Sequence, residues 1–215
     1  MMHWIQKHIL RELTLHKSCR FSQLRPKQVE SNLFIYHLKS LIKEGYVQKE
    51  ADGSYSLAPA GKRFVDRISM EKFQPRIQPK IITLLVITNA EGKLLLWKRN
   101  KQPFLGKIGF PTGKIHLGET LQSAAKRELA EKTGVKAEIN HVGDGYLTSY
   151  EGSELISQVL FHCFTGTAKN NTFKADANLQ WGTLEEQTEV IPGAKEIYKE
   201  AIQNKNHFFV EIIEK

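Results

Sequence analysis

Two cysteines stand in the chain, Cys19 and Cys163, far apart and in no ligand-like spacing. Disulfide scaffolds and thiolate metal sites are thereby excluded as organising features, and a reducing, cytoplasmic setting is suggested. No apolar run approaches the roughly 20 residues that cross a bilayer. The first residues, MMHWIQKHILRELTLHK, have an apolar stripe broken by charges and lack the continuous apolar core and small-residue cleavage site of a signal peptide. Low-complexity tracts and internal repeats are missing too. What is present is ordinary globular composition, 40% hydrophobic and 25% charged over 215 residues, enough for one large domain or two small ones.

Acidic residues are scarce in one part of the chain. Residues 1–80 hold 15 Lys+Arg against 7 Asp+Glu, whereas residues 81–215 hold 16 of each, so the whole excess of +8 lies in the first third. This asymmetry suggests one domain that meets a polyanion and one that does not, a solvated basic surface being the plainer alternative. Pro75 and Pro79 interrupt helix and strand alike between the parts. The expected organisation is a domain over 1–70, a linker over 71–80 and a domain over 81–215.

In the first domain, Trp4, Ile5, Ile9, Leu10 and Leu13 form one face of an amphipathic helix. A short helix is expected near Phe21–Leu24. A third over residues 31–45 starts at a Ser31 or Asn32 cap, stops at Gly45 and turns Phe34, Leu38 and Leu41 inward. Alternating runs around Asp52-Gly53 predict a hairpin, and GKRFVDRISM a closing helix. Helix, helix, helix, hairpin, helix is the order of a winged helix-turn-helix, a small mainly-α domain. The run NLFIYHLKSLIKEGYVQKE with the wing DGSYSL resembles bacterial winged-helix regulators. That resemblance implies contact with double-stranded DNA through Asn32, Tyr36, His37, Lys39, Ser40 and Lys43 on the third helix, and through Lys62 and Arg63 in the wing. A winged helix used for protein contacts is the alternative, and a buried His37 the alternative for that residue. Palindromic DNA sites suggest, by analogy alone, a homodimer.

The second domain opens with IITLLVIT and LLLWKR, two strands around the turn NAEGK. A helix then runs from Glu119 to Lys132 without Gly or Pro and ends at Gly134, with Leu121, Ala125 and Leu129 on its buried face. Glu128 and Glu131, three apart, share the opposite face. Two carboxylates and a loop carbonyl form half of a hard-oxygen shell suited to Mg²⁺, which polarises phosphorus and acidifies bound water.

Gly113, Glu119, Arg127-Glu128-Leu129, Glu131 and Gly134-Val135 carry a spacing that resembles the Nudix box, Gly-x5-Glu-x7-Arg-Glu-U-x-Glu-Glu-x-Gly-U with U apolar. Lys132 departs from it, standing where the pattern has a second glutamate. The resemblance implies an α/β/α sandwich with a mixed sheet and hydrolysis of a nucleoside diphosphate linked to another group, with Mg²⁺ or Mn²⁺. It implies Gly113, Glu128 and Glu131 around the metal, Arg127 orienting the glutamates and Glu119 supporting the loop, with Glu128, Glu131 and Arg127 as the catalytic set. Asp176 is the acidic candidate from a later loop.

An ammonium at position 132 cannot coordinate Mg²⁺ and repels it, but can pair with Glu128 four residues earlier. A side chain swung to solvent is the alternative. Lys114, Glu119, Lys132 and Phe104 are the candidate ligand contacts, Trp97 being read as core. Some Nudix-related regulators join a degenerate Nudix domain to a winged helix and sense metabolites such as ADP-ribose; there the winged helix follows, whereas here it precedes. Two readings therefore stand: a regulator that senses a nucleoside-diphosphate-linked metabolite, and an active metal-dependent hydrolase with an accessory winged helix. No membrane partner is expected in either.

Overall fold

The structure, a computed structural model, describes residues 2–174, 178–203 and 206–214. The chain divides into two compact units, Met1–Gln78 and Pro79–Lys215.

The first unit runs α1 (Trp4–Leu15), α2 (Phe21–Leu24), α3 (Ser31–Lys43), β1 (Val47–Lys49), β2 (Tyr55–Leu57), α4 (Pro59–Asp66), β3 (Ile68–Ser69) and β4 (Gln74–Pro75). His3 starts α1: its ring nitrogen accepts from the Ile5 N–H at 3.3 Å, while Gln6 Oε1 accepts from the His3 N–H at 2.9 Å. This reciprocal pair satisfies two orphan donors of the first turn. Ile5, Ile9, Leu10 and Leu13 are buried on Phe34, Leu38 and Leu41 of α3, whereas Trp4, expected on that face, is exposed. The cap of α3 is Glu30, so Ser31 and Asn32 lie inside the helix rather than before it. β1 and β2 pair antiparallel, and Asp52 fixes their turn by accepting from Ser54 N and Oγ at 2.9 and 2.6 Å.

Two readings of this unit need correction. Lys62 and Arg63, expected in the wing, lie on α4, because the helix begins at Pro59, whose fixed φ suits a first helical position. Much of the segment 71–80 is not linker. Residues 74–75 pair with 68–69, the Arg76 N–H donates to the Arg67 carbonyl at 3.0 Å, and the Arg11 guanidinium donates to the carbonyls of Met70 and Glu71. Pro75 is tolerated because this two-stranded ribbon has a free edge.

The second unit runs β5 (Lys80–Thr88), β6 (Leu94–Lys98), β7 (Ile108–Gly109), β8 (Thr112–Lys114), α5 (Leu121–Thr133), β9 (Ala137–Glu151), β10 (Glu154–Ala168), β11 (Leu179–Gly182), α6 (Ala194–Gln203) and β12 (Phe208–Glu214). Among the described residues the main path of its sheet is β11-β6-β5-β10-β9-β12, with β7 on β6 and β8 on β5. β10 is parallel to β5 and antiparallel to β9, so the sheet is mixed. Alternation along β5 sends Leu85 and Ile87 to one face and Leu84 and Val86 to the other. The first face packs on Ala125 and Leu129 of α5, the second on Ala194, Ile197 and Ala201 of α6, which makes the α/β/α sandwich. β12, which the sequence reading did not anticipate, pairs parallel with β9 and lengthens the sheet. Cys19 and Cys163 are buried and free.

Candidate active site

β8 pairs antiparallel with β5, Gly113 opposite Thr83, and the loop after it leads into α5. Thr120 caps α5 by accepting from the Ser123 N–H at 3.1 Å, and Gly134 ends it at φ 73°. The consequence is that Glu128 leans directly over Gly113. A Cβ on Gly113 would lie 1.9 Å from both Cγ and Cδ of Glu128, so only glycine admits this approach.

Arg127 organises the carboxylates. Its guanidinium donates to both oxygens of Glu119 at 2.6 and 2.8 Å, to Glu128 Oε1 at 2.8 Å, to Glu131 Oε2 at 3.4 Å and to the Lys114 carbonyl at 3.0 Å. Glu119 also accepts from the His116 N–H at 2.9 Å, which closes the loop onto the helix. Hydrogen bonds first from Arg127 and then from His116 pull the Glu119 carboxyl down to about 2, and its carboxylates hold Arg127 above the ordinary arginine range.

Glu128 and Glu131 share Arg127 but not an environment: Glu128 is buried, whereas 63% of the Glu131 side chain is exposed. Lys132 is turned inward. Its Nζ lies 3.4 Å from Glu128 Oε2, donates to the Thr112 carbonyl, and stands 5.0 Å above the centre of the Trp97 ring. Burial pushes this ammonium below the usual lysine range, and Glu128 partly restores it. The donor set therefore does not fit a divalent ion as it stands. One oxygen of Glu128 is held by Arg127 and the other faces Lys132, so the exposed Glu131, reached by Arg127 only at 3.4 Å, is the more accessible carboxylate of the expected set.

A cleft of about 620 Å³ opens beside this network. Trp97, Phe104 and Phe110 contribute rings, and among the described residues Lys80, Arg99, Lys101, Lys114 and Lys132 line it with the one carboxylate of Glu128. Phe104 adopts φ 68° and is partly buried, with Lys107 over its ring. Phe110 is buried, and Trp97 is partly buried against the α5-side core, so each ring has one side in the packing. Arg99 and the Thr112 carbonyl were missed by sequence reasoning; their signal was their flanking of the loop from Lys101 to Phe110. Asp176 lies outside the described residues.

In the first unit, Asn32, Tyr36, Lys39 and Lys43 are exposed along one face of α3. Two other candidates are not presented. His37 is buried and stacked on His3, ring centres 4.0 Å apart, because its position falls beside the Phe34–Leu38–Leu41 stripe. Ser40 is engaged within the chain, donating to Glu44 at 2.7 Å and accepting from Gln6 at 3.2 Å. Lys62 and Arg63 are exposed on α4.

No helix among the described residues is long and apolar enough to cross a membrane. Over 138 residues the chain is 28% identical to an RNA pyrophosphohydrolase of Caulobacter vibrioides, covering 55% of this chain and 80% of that protein. Over 85 residues it is 32% identical to an ADP-ribose pyrophosphatase of Methanocaldococcus jannaschii, covering 38% of this chain and half of that one. Among solved structures, the MutT protein of Bacillus halodurans matches with a TM-score of 0.52 at 19% identity, covering 62% of this chain and 89% of that one. The NUDIX domain of Shewanella oneidensis NrtR, complexed with ADP ribose, matches with a TM-score of 0.50 at 19% identity, covering 66% and 96%. These likenesses establish the fold. The NUDIX domain model matches residues 78–203, and the chain belongs to the NUDIX family.

Proposed function

We propose that this protein is a DNA-binding transcriptional regulator whose Nudix domain binds a nucleoside-diphosphate-linked metabolite, of ADP-ribose or nucleotide-sugar type, with weak or no hydrolysis. The observation that carries the reading is Lys132, an ammonium placed between Glu128 and the Thr112 carbonyl. A binding-only site tolerates a cation there, whereas a metal-dependent hydrolase loses a ligand and meets a repulsive charge.

The cleft supports the ligand class. Among the described residues five cations and one carboxylate line it, which favours phosphates, while Phe104 offers a ring face to a nucleobase. Mg²⁺ or Mn²⁺, the ions used by the family, would bind weakly through Glu131. The first unit, read as a winged helix-turn-helix over residues 1–70, contributes the exposed stripe Asn32–Tyr36–Lys39–Lys43 for a major groove, with Lys62 and Arg63 for phosphates. A homodimer matches two half-sites, and ligand binding acts by shifting their spacing.

A second reading, an active hydrolase, is favoured by the intact Arg127 network and by relatives named as an RNA pyrophosphohydrolase and an ADP-ribose pyrophosphatase. The test is product release from ADP-ribose, other nucleotide sugars, NADH and dinucleoside polyphosphates with Mg²⁺ or Mn²⁺, wild type beside Lys132→Glu. The regulator reading expects an inert wild type and a gain in Lys132→Glu. Wild-type turnover in the ordinary enzyme range of about 1 s⁻¹ or more would favour the hydrolase.

A further inference from the structure

A second polar cluster shares no residue with the Arg127 network or the cleft, and the activity discussed above does not use it. Three imidazoles converge on one carboxylate. His141 Nε2 lies 2.8 Å from Asp144 Oδ1, His162 Nδ1 lies 2.6 Å from the same oxygen, and His207 Nε2 lies 2.7 Å from Asp144 Oδ2.

The fold assembles this cluster through two local devices. His141 and Asp144 are three apart on β9, and in a regular strand they would point to opposite faces. The register passes from Gly143 opposite Cys163 to His141 opposite Phe164, so Val142 is an extra residue and the strand carries a bulge. The bulge brings His141 onto the face of Asp144. That face is the α5 side, since the His141 ring stands 5.0 Å from Phe164 in the α5-side core. His162 lies directly opposite Asp144 on β10. The second device is Gly143, where a Cβ would lie 2.3 Å from the Phe208 ring. Its absence seats β12 against β9 and places His207, the residue before β12, beside Asp144.

We propose that His141 Nε2, His207 Nε2 and a carboxylate oxygen of Asp144 form a binding site for a divalent transition-metal ion of the zinc class. Imidazole nitrogen with carboxylate oxygen is the donor mixture such ions select, and hard oxygen-seeking ions such as Mg²⁺ do not. The three donor atoms lie within 4.8 Å of one another. An ion at roughly 2.0–2.1 Å from each needs donors roughly 3.3 Å apart, so side-chain rotations that move each donor by about 1 Å or less suffice. Water takes the fourth position, on the open side where 51% of the His207 side chain is exposed. His162 is a positioning residue: its Nδ1–H donates to Asp144 and fixes the carboxylate.

The test uses the full chain stripped with a chelator. ZnCl₂ is titrated by calorimetry against a competing chelator, and CoCl₂ is titrated while visible absorption is recorded. The expected result is one tight Zn²⁺ equivalent and a Co²⁺ spectrum of four-coordinate nitrogen–oxygen ligation. Loss of a direct ligand in His207→Ala or Asp144→Asn should weaken binding by about 100-fold or more, and His162→Ala by about 10-fold. Glu131→Gln, on the Nudix helix, should leave it unchanged. Wild type without a stoichiometric site, equal binding by His207→Ala, or loss of the tight site in Glu131→Gln instead would each overturn the proposal. His207 precedes β12 and is half-exposed, so its alanine variant is expected to fold, which circular dichroism checks. The wild-type Co²⁺ spectrum is independent of any variant, and a spectrum without nitrogen ligation overturns the proposal by itself.

Discussion

Lys132 ties three groups together, so its replacement has a computable consequence. Lys132→Met removes an ion pair to Glu128 at 3.4 Å, a hydrogen bond to the Thr112 carbonyl and a cation over the Trp97 ring at 5.0 Å. Breaking a fully buried pair costs roughly 3–5 kcal/mol, because the remaining charge is left uncompensated. Only 8% of the Glu128 side chain is exposed, but 36% of the Lys132 side chain is, and Arg127 still holds the other oxygen. Water and Arg127 therefore absorb a large share, leaving about 2 kcal/mol. At roughly 2–4 °C per kcal/mol for a unit of this size, the thermal transition should fall by about 4–8 °C. Lys132→Glu should fall further without divalent ions, since two carboxylates four residues apart on a helix then repel. It should recover with Mg²⁺, by about 2.7 kcal/mol at 100 times the dissociation constant. The assay is thermal denaturation of wild type and both variants with and without Mg²⁺. A wild type stabilised by Mg²⁺ as strongly as Lys132→Glu, or a Lys132→Met variant as stable as wild type, would refute the reasoning.

Three further outcomes are expected. Gly113→Ala places a methyl inside Glu128, so Glu128 must leave Arg127 or the strand must shift; a loss of about 1–3 kcal/mol in denaturant unfolding and weakened nucleotide binding should follow. Glu119, held at about 2 in the fold against an ordinary value near 4.5, contributes stability that is fully present above that ordinary value and lost as pH falls toward 2. The stability gap between wild type and Glu119→Gln should thus be constant above about pH 4.5 and close below it, as read by unfolding across pH. Lys39→Ala and Lys43→Ala should each lower the slope of DNA affinity against salt by about 1, measured by fluorescence anisotropy, whereas unchanged slopes would remove α3 from the interface.

Much of the second unit was legible because its signal is local. The spacing from Gly113 to Gly134 encodes a turn, a capped helix and a polar face, and each feature depends on residues within one helix of its neighbours. Phe34, Leu38 and Leu41 were legible for the same reason. Where two faces meet, periodicity gave way: Trp4 sits at the margin of the α1 stripe and is exposed, and His37 at the margin of the α3 stripe is buried. The inward turn of Lys132 was one of two options in the sequence, and only the placement of Thr112 and Trp97 around it decides between them. β12 and the histidine cluster were illegible for a different reason. Val142 bulges against β10, and no local pattern distinguishes a bulged strand from a regular one, so residues from 141 to 207 converge without a motif.

In the proposed function the Nudix domain binds a nucleoside-diphosphate-linked metabolite without turning it over. The most direct test is calorimetry of the wild-type protein with ADP-ribose in the presence of Mg²⁺, followed by chromatography of the nucleotide recovered from the cell. Saturable binding with intact ADP-ribose recovered is the predicted result. Recovery of AMP and ribose phosphate at ordinary enzymatic rates would contradict it.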